Sequence, residues 1–561
     1  MFKFGKSRKD PLADPRTADR WLKTLPAADP LATHDALLGA IGRLTEPDAR
    51  RTPARLAAVF LVDAYADGLR ATLTAQYLEH SHRSTQIENQ LWQALFDLTQ
   101  RFLLCYRGFT QAINSHPQDK KWQALLPELI ARQIIHHGLE AKIRLYRYEQ
   151  WIPGKWAELH ALFQMACSAQ NERKALGLGP GGGLTTIEQE YLRVLVLQLM
   201  NAGNLTPRHQ EWLAQQLCEW CGPLRLTMES SPVTSFYVDL DARGGLKRRG
   251  AQLAEGRLLF LDTRPLHAVL MQNAVMLEHK VRNNPLSEKT PRRADQLNLL
   301  TKLASSIDPE FKPFARRGER TNAQGSVDAI VGFAKIAGFL RDEAMAPFLG
   351  IRKGPSNFGE SIEFATFGRM RNEHAKTLEQ ARRRLASYTS MGGAWEMRDV
   401  SRSGYRLVAP MSVVNAVMLG TLVAVRSQSE PLWTLGIVRR MKRLTSERAE
   451  LGLQLIANNL VGVELVEPPR PGPTDYSVSG AMPGINGRRF HGLFLSLQKR
   501  EGEPTVQTLI VPAAEYQVGK RLRMSVAESS QAIAFGHLLE QRLDWTWATI
   551  ESLDAAAPTQ T

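Results

Sequence analysis

The stretch "DVSRSG", residues Asp399 to Gly404, lies between "WEMRDVS" and "YRLVAP" and decides how the second half of the chain is read. The alternation of apolar and polar residues on either side predicts two strands, and the Ser-Arg-Ser-Gly segment predicts the turn between them. At strand spacing Asp399 and Ser401 point to one side. Gly404 permits a tight turn or a close approach of the backbone to a ligand. Downstream, "TLVAVR", "LWTLGIVRRM" and "AELGLQLI" are short β-rich runs punctuated by Gly, Ser and Pro, as in a small barrel or sandwich.

Nearly eighty residues upstream stands "RRGER" (Arg316 to Arg320). It follows "PEFKPFA", whose two prolines predict an extended or loop-like segment. Arg316, Arg317 and Arg320 can form forked hydrogen bonds to phosphate oxygens, stack on a purine or bond the O6/N7 edge of guanine. A carboxylate such as Asp399 accepts from the N1–H and N2–H groups of guanine, and the Ser401 hydroxyl adds a bond. Arginines for phosphate and an acid for guanine together describe a receptor for an anionic guanine nucleotide. The structural alternative is a basic loop and an ordinary Ser/Asx turn.

These two motifs, in this order and followed by barrel-like strands, resemble the PilZ family of bacterial cyclic di-GMP receptors. That family carries an RRxxR loop and a [D/N]xSxxG strand-turn in a small β-barrel. The resemblance covers Arg316 to about Leu465. It implies that Arg316, Arg317 and Arg320 grip phosphates and stack on guanine, and that Asp399, Ser401 and Gly404 meet the ligand from the barrel face. The ligand would be cyclic di-GMP, commonly a stacked dimer in this family. The chain departs from the family in the distance between the motifs. We expect a helical insertion, about 338–392, after the first barrel strand, since lengthening a surface loop costs little entropy. A rival alignment takes "ARRRL" (Arg382 to Arg384) as the loop. It lies nearer Asp399 but has no further arginine four positions on.

The rest of the chain reads differently. Its 561 residues predict several domains, and 43% hydrophobic with 23% charged residues is a globular composition. Residues 1–230 read as an all-helical domain, with apolar residues three and four apart in 53–80, 89–113, 127–151, 186–203 and 206–222. Residues 231–310 read as a mixed strand and helix connecting region, and 311–466 as the barrel with its insertion. "EPPRPGPTD" (Glu467 to Asp475) reads as a linker to a small β-rich C-terminal domain, 476–555. The fold class expected is multidomain α+β.

Other candidate sites read as structural. "CEWC" (Cys218 to Cys221) has zinc or redox spacing but no second pair of cysteines, and His136, His137 and His209 have no fixed geometry towards it. "GLGPGGGLTTIEQE" (Gly177 to Glu190) lacks the Lys-Ser/Thr ending of a phosphate loop, so we expect a linker entering a helix capped by Thr185 and Glu188. Hydrolase, zincin and kinase signatures are missing, so no enzyme and no cofactor are expected. The run Leu407 to Val425 contains Pro410, Asn415 and Gly420 and reads as strands and a turn, not a membrane span. The start "MFKFGKSRKDPL" has no apolar core region of a secretory signal, and a cytoplasmic location is expected.

Net charge is +15 and the sequence pI is about 9.7. Aromatic residues are not interleaved with the short basic clusters, so nucleic acid is not the expected partner. The expected function is a cyclic di-GMP effector whose helical region meets a protein partner of pilus, motility or polysaccharide machinery. The alternative is a PilZ-like scaffold that has lost nucleotide binding.

Overall fold

The structure, a computed structural model, describes residues 10–553 except 81–84, 179–181, 201–203, 251–255, 284–289, 311–320, 346–394, 402, 416, 428–432, 459, 469–487, 498–505, 527–528 and 543. The chain divides into two compact units, Met1–Phe314 and Ala315–Thr561.

Among the described residues the first unit opens with eight helices: α1 (Pro15–Leu22), α2 (Pro30–Thr45), α3 (Pro53–His80), α4 (Thr85–Asn114), α5 (Lys120–Leu145), α6 (Pro153–Ser168), α7 (Ile187–Met200) and α8 (Pro207–Trp220). Proline stands in the first turn of α1, α2, α6 and α8, where its missing N–H costs nothing. Asp14, Asp29 and Thr206 cap their helices through side-chain oxygens. Helix α5 departs from the expected start at Pro127. It begins at Lys120, capped by Asp119, and carries Pro127 inside. The apolar periodicity is plain only from the proline onward, whereas the burial of Trp122 and Leu126 draws the preceding turn into the helix.

A four-stranded antiparallel sheet follows, β1 (Leu226–Thr227), β2 (Phe236–Asp239), β3 (Lys247–Arg248) and β4 (Leu258–Leu261), in the order β1-β4-β2-β3. Then come α9 (Arg264–Asn283) and α10 (Thr290–Ile307). One hydrophobic core runs from Leu12 through Phe236 and Leu261 to Ile307. The expected division at residue 230 therefore falls within a continuous core. The mixed segment is part of the helical unit, and its first strand already lies before that boundary.

The second unit holds two closed six-stranded barrels. The first comprises β5 (Thr321–Val331), β6 (Trp395–Ser401), β7 (Gly404–Pro410), β8 (Leu422–Ser427), β9 (Thr434–Arg443) and β10 (Arg448–Ala457). The uncharged run from Leu407 accordingly forms strand, helical turn (Met411–Val414) and strand. The second comprises β11 (Val461–Val466), β12 (Arg489–Leu497), β13 (Val506–Pro512), β14 (Arg521–Val526), β15 (Ser529–Gln541) and β16 (Trp545–Ser552). Around the first barrel the strands run 5, 6, 7, 10, 9, 8. Around the second they run 11, 12, 13, 16, 15, 14. Counted from the first strand of each, the two circular orders are the same, and every pairing is antiparallel.

The boundary between the barrels differs from the expected one. Strand β11 pairs with β12 and β14 of the second barrel, so "EPPRPGPTD" falls between two paired strands of one barrel and does not join two domains. A stretch rich in proline and glycine suits a connection between two strands of one barrel as well as a linker, and composition alone cannot distinguish the two. In the first barrel β5 and β6 are antiparallel neighbours, yet residues 332–394 stand between them. Gly332, at φ +93°, ends the strand, and α11 (Phe333–Met345) begins at once. The inserted segment thus starts some six residues before the expected point. The remainder of the expected insertion, from residue 346, lies outside the described residues.

Candidate functional site

The hairpin β6–β7 closes tightly, with Ser401 paired to Gly404, Val400 to Tyr405 and Asp399 to Arg406. The Ser401 hydroxyl donates to the Gly404 carbonyl at 3.0 Å, fixing the turn from within. On its outer side Gly404 faces Gln454 of β10, and a Cβ at this position would lie 2.5 Å from the Leu453 carbonyl oxygen. The glycine is thus required by a neighbouring strand. Besides the tight turn, Gly404 makes a close approach to the barrel's own backbone. The Leu455 N–H donates to the Ser403 carbonyl at 3.0 Å and braces the turn against β10.

Asp399 is buried, only 5% exposed, and its Oδ2 accepts from Arg406 Nε at 2.7 Å. Arg406 is 41% exposed at its side chain and lies 3.9 Å from Glu450. The carboxylate expected to read guanine is therefore held by a cation of the adjacent strand. Arg406 escaped the sequence reading, although a signal for it existed. A two-residue hairpin closed by Ser401 and Gly404 places Arg406 opposite Asp399 by counting alone.

The other side of β6 faces β5. Thr321 pairs with Val400 and Asn322 with Asp399, followed by a bulge before Gly325. Thr321, Ser401, Gly404 and Gln454 thus share one end of the barrel. Arg316, Arg317 and Arg320 lie outside the described residues, as do Arg382 to Arg384 of the rival loop. In the sequence, Arg320 immediately precedes Thr321.

A third segment, "RRMKR" (Arg439 to Arg443), has the same arginine spacing as "RRGER" but lies within β9. Its first arginine is committed elsewhere, with Nη1 and Nη2 both donating to Glu540 at 2.6 Å and Nε to Gln454 at 2.8 Å. At the equivalent places of the second barrel neither motif stands, although "DYSVSG" (Asp475 to Gly480), between β11 and β12, matches the [D/N]xSxxG pattern. Residues 444–466 contain the single arginine Arg448, and no [D/N]xSxxG sequence follows β12.

The remaining candidates settle into structural roles. Cys218 lies half-buried on α8 with its Sγ 3.7 Å from the Ala214 carbonyl, and Cys221 is buried at the end of that helix. Among the described residues no group of His, Cys, Asp and Glu is placed to hold a metal ion, and no helix is long and apolar enough to cross a membrane. The capping box of α7 is shifted by one residue from the expected pair. Thr186 Oγ1 accepts from the Gln189 N–H, and Gln189 Oε1 accepts from the Thr186 N–H, each at 3.1 Å. Glu188 is drawn away to accept from the Leu226 N–H at 2.9 Å.

Family comparison gives two matches. Residues 16–232 match the N-terminal domain of the cyclic-di-GMP receptor FimW, and residues 356–460 match its middle PilZ domain. A comparison with curated proteins gives no match. The second matched segment contains "DVSRSG" and strands β6 to β10 but begins after β5 and "RRGER". Two domains of one family, together spanning more than half of the chain, recur here in order, and the chain belongs to the PilZ-domain cyclic-di-GMP receptors represented by FimW.

Proposed function

We propose that this chain itself binds cyclic di-GMP at the end of the first barrel where β5, β6 and β7 meet. Arg316, Arg317 and Arg320 would hold the phosphates and stack on guanine, while Asp399 and Ser401 contact the guanine edge. The observation that supports this is the register of β5 on β6. The strand that follows "RRGER" without a gap lies directly against the strand of "DVSRSG", with Asn322 facing Asp399. Thr321, which follows Arg320 in the sequence, pairs with Val400 next to Asp399, despite the long insertion between the motifs. Ligand binding would reorder that loop, which connects the helical unit to the barrel, provided the ligand contacts its two arrangements differently. The helical unit would then offer a changed surface to a protein of pilus, motility or polysaccharide machinery. The role is one of binding, not catalysis, and is placed in the cytoplasm.

Titration calorimetry with cyclic di-GMP on wild type, Arg320→Ala and Asp399→Ala tests the site. Saturable binding by the wild type, weakened at least about tenfold in each variant, is expected, since a charge-assisted contact is worth about 1.5–3 kcal/mol. Absence of wild-type binding at tens of micromolar ligand would establish the scaffold reading instead. A specific observation favours one other arginine loop. The PilZ match spans "ARRRL" and not "RRGER". Loss of binding in Arg383→Ala with full binding by Arg320→Ala would transfer the phosphate grip to that segment.

A further inference from the structure

Strand β6 is irregular on both of its sides where Asp399 stands. Against β7 the register passes from Met397 opposite Leu407 to Asp399 opposite Arg406, so two steps along β6 meet one along β7. Against β5 it passes from Met397 opposite Gly325 to Asp399 opposite Asn322, so the same two steps meet three along β5. Counted from Met397 without a bulge, Asp399 would face Tyr405. The extra residue in β6 brings it to Arg406 instead. Bulges of this kind re-aim single side chains and are over-represented beside functional sites.

The bond that results is one-sided. Arg406 Nε donates to Asp399 Oδ2 at 2.7 Å, and Arg406 Nη1 lies 3.9 Å from Glu450 of β10. The arginine side chain is largely at the surface, whereas that of Asp399 keeps 8% of its area exposed. An ionised carboxylate offers about four lone-pair sites, so a single N–H on one oxygen leaves others for the edge of a base. That N–H also restrains the last torsion of the aspartate, which is otherwise broad. A third effect is electrostatic. The guanidinium sets a positive charge beside a carboxylate that would by itself repel an anionic ligand.

We propose that Arg406 is a positioning residue of the nucleotide site: through its bond to Asp399 it holds the carboxylate in the orientation that accepts from both N1–H and N2–H of guanine, and so sets the preference for that base. This role rests on cyclic di-GMP binding at this end of the first barrel. Arg406 acts through Asp399 and does not itself touch the base. A carboxylate held to accept two bonds discriminates against a base that lacks one of the donors. One free to turn takes a single donor nearly as well. Hypoxanthine, which has N1–H but no N2 amino group, then becomes a closer competitor of guanine.

The full chain is titrated with cyclic di-GMP and with its hypoxanthine counterpart, cyclic di-IMP, by calorimetry. The variants are Arg406→Gln, Arg406→Lys, Asp399→Ala and the double variant of Asp399→Ala with Arg406→Gln. The wild type is expected to prefer cyclic di-GMP at least about tenfold. Arg406→Gln should weaken cyclic di-GMP by about tenfold and narrow the preference to about threefold or less. Arg406→Lys, which keeps a charged donor, should regain most of that preference. In the Asp399→Ala background Arg406→Gln should have no further effect on either ligand. The ratio of the two affinities does not depend on the fraction of chain that is folded, so it also reads a destabilised variant. A preference kept in Arg406→Gln, or a loss that persists in the Asp399→Ala background, overturns the proposal and leaves the nucleotide site standing. No binding of cyclic di-GMP by the wild type removes the site and the role of Arg406 with it.

Discussion

At the scale of single residues, Gly404 shows how a motif residue can serve the scaffold. Its space is occupied by the Leu453 carbonyl, 2.5 Å from where a Cβ would stand. Gly404→Ala must push β7 away from β10 and is expected to destabilise the β-rich unit by about 1–3 kcal/mol, read from the urea midpoint. Gly325, which has nothing within 4 Å of its Cβ position, is the control. Gly325→Ala should change stability by less than about 1 kcal/mol. Equal effects at the two positions would remove the steric explanation. Asp399 illustrates the complementary point. Its strand position follows from the sequence, but its 2.7 Å contact with Arg406 arises only when the hairpin closes.

At the scale of elements, α5 carries two adjacent histidines whose burial has a consequence for acid stability. Burial, with Lys155 and Arg107 adding to it, lowers the pKa of His137 to about 3. Burial likewise lowers that of His136, which outweighs the opposing pull of Asp63. The charge of Asp63 is met by Arg70 and Arg132. The unfolded chain takes up a proton on each histidine below pH about 6.5, whereas folded His137 does not until about 3. Between these values the unfolded state binds more protons, so stability falls as pH falls, by on the order of a few kcal/mol for His137. Asp63 acts in a lower window. Burial raises its pKa, but His136, Arg70 and Arg132 hold it well below the usual carboxylate range. Its contribution is complete above about pH 4 and is lost only as pH drops below that. The melting temperature of the helical unit should therefore decline from pH 6.5 towards 4, and His137→Gln should flatten that decline. An unchanged slope would show that His137 does not govern it.

At the scale of the second unit as a whole, two barrels of the same circular strand order are joined through α11. Phe333, Ile336 and Leu340 of that helix share a core with Leu422 and Leu435 of the first barrel and Leu493 and Ile510 of the second. Trp545 Nε1 donates to the Gly420 carbonyl at 3.1 Å across the same junction, and Arg439 forms its forked bond to Glu540 nearby. A bidentate pair with Glu540 only 16% exposed should have a coupling energy of about 1 kcal/mol or more in a double-mutant cycle of Arg439→Ala and Glu540→Ala. Additive effects would mean that the barrels are held together by the apolar core alone. The second barrel has no RRxxR segment and carries its [D/N]xSxxG match between β11 and β12, not at the hairpin equivalent to β6–β7, so variants that abolish nucleotide binding at the first should leave no residual binding in the full chain.

Local pattern was sufficient for the long helices and for most barrel strands, because each rests on the periodicity of residues close in sequence. It failed where a boundary depends on partners far along the chain. "EPPRPGPTD" looks like a linker, yet β11 before it pairs with β12 after it. The segment 231–310 looks separate, yet Phe236 and Ile307 lie in the same core as Leu12. The equivalence of the two barrels has no counterpart in motifs at matching places, since strand order is set by long-range backbone pairing that many side-chain patterns satisfy. The buried charge cluster of the helical unit is of the same kind. Asp63 and Arg70 stand on α3 and Arg132 and His136 on α5, and only the packing of these helices fills both oxygens of Asp63.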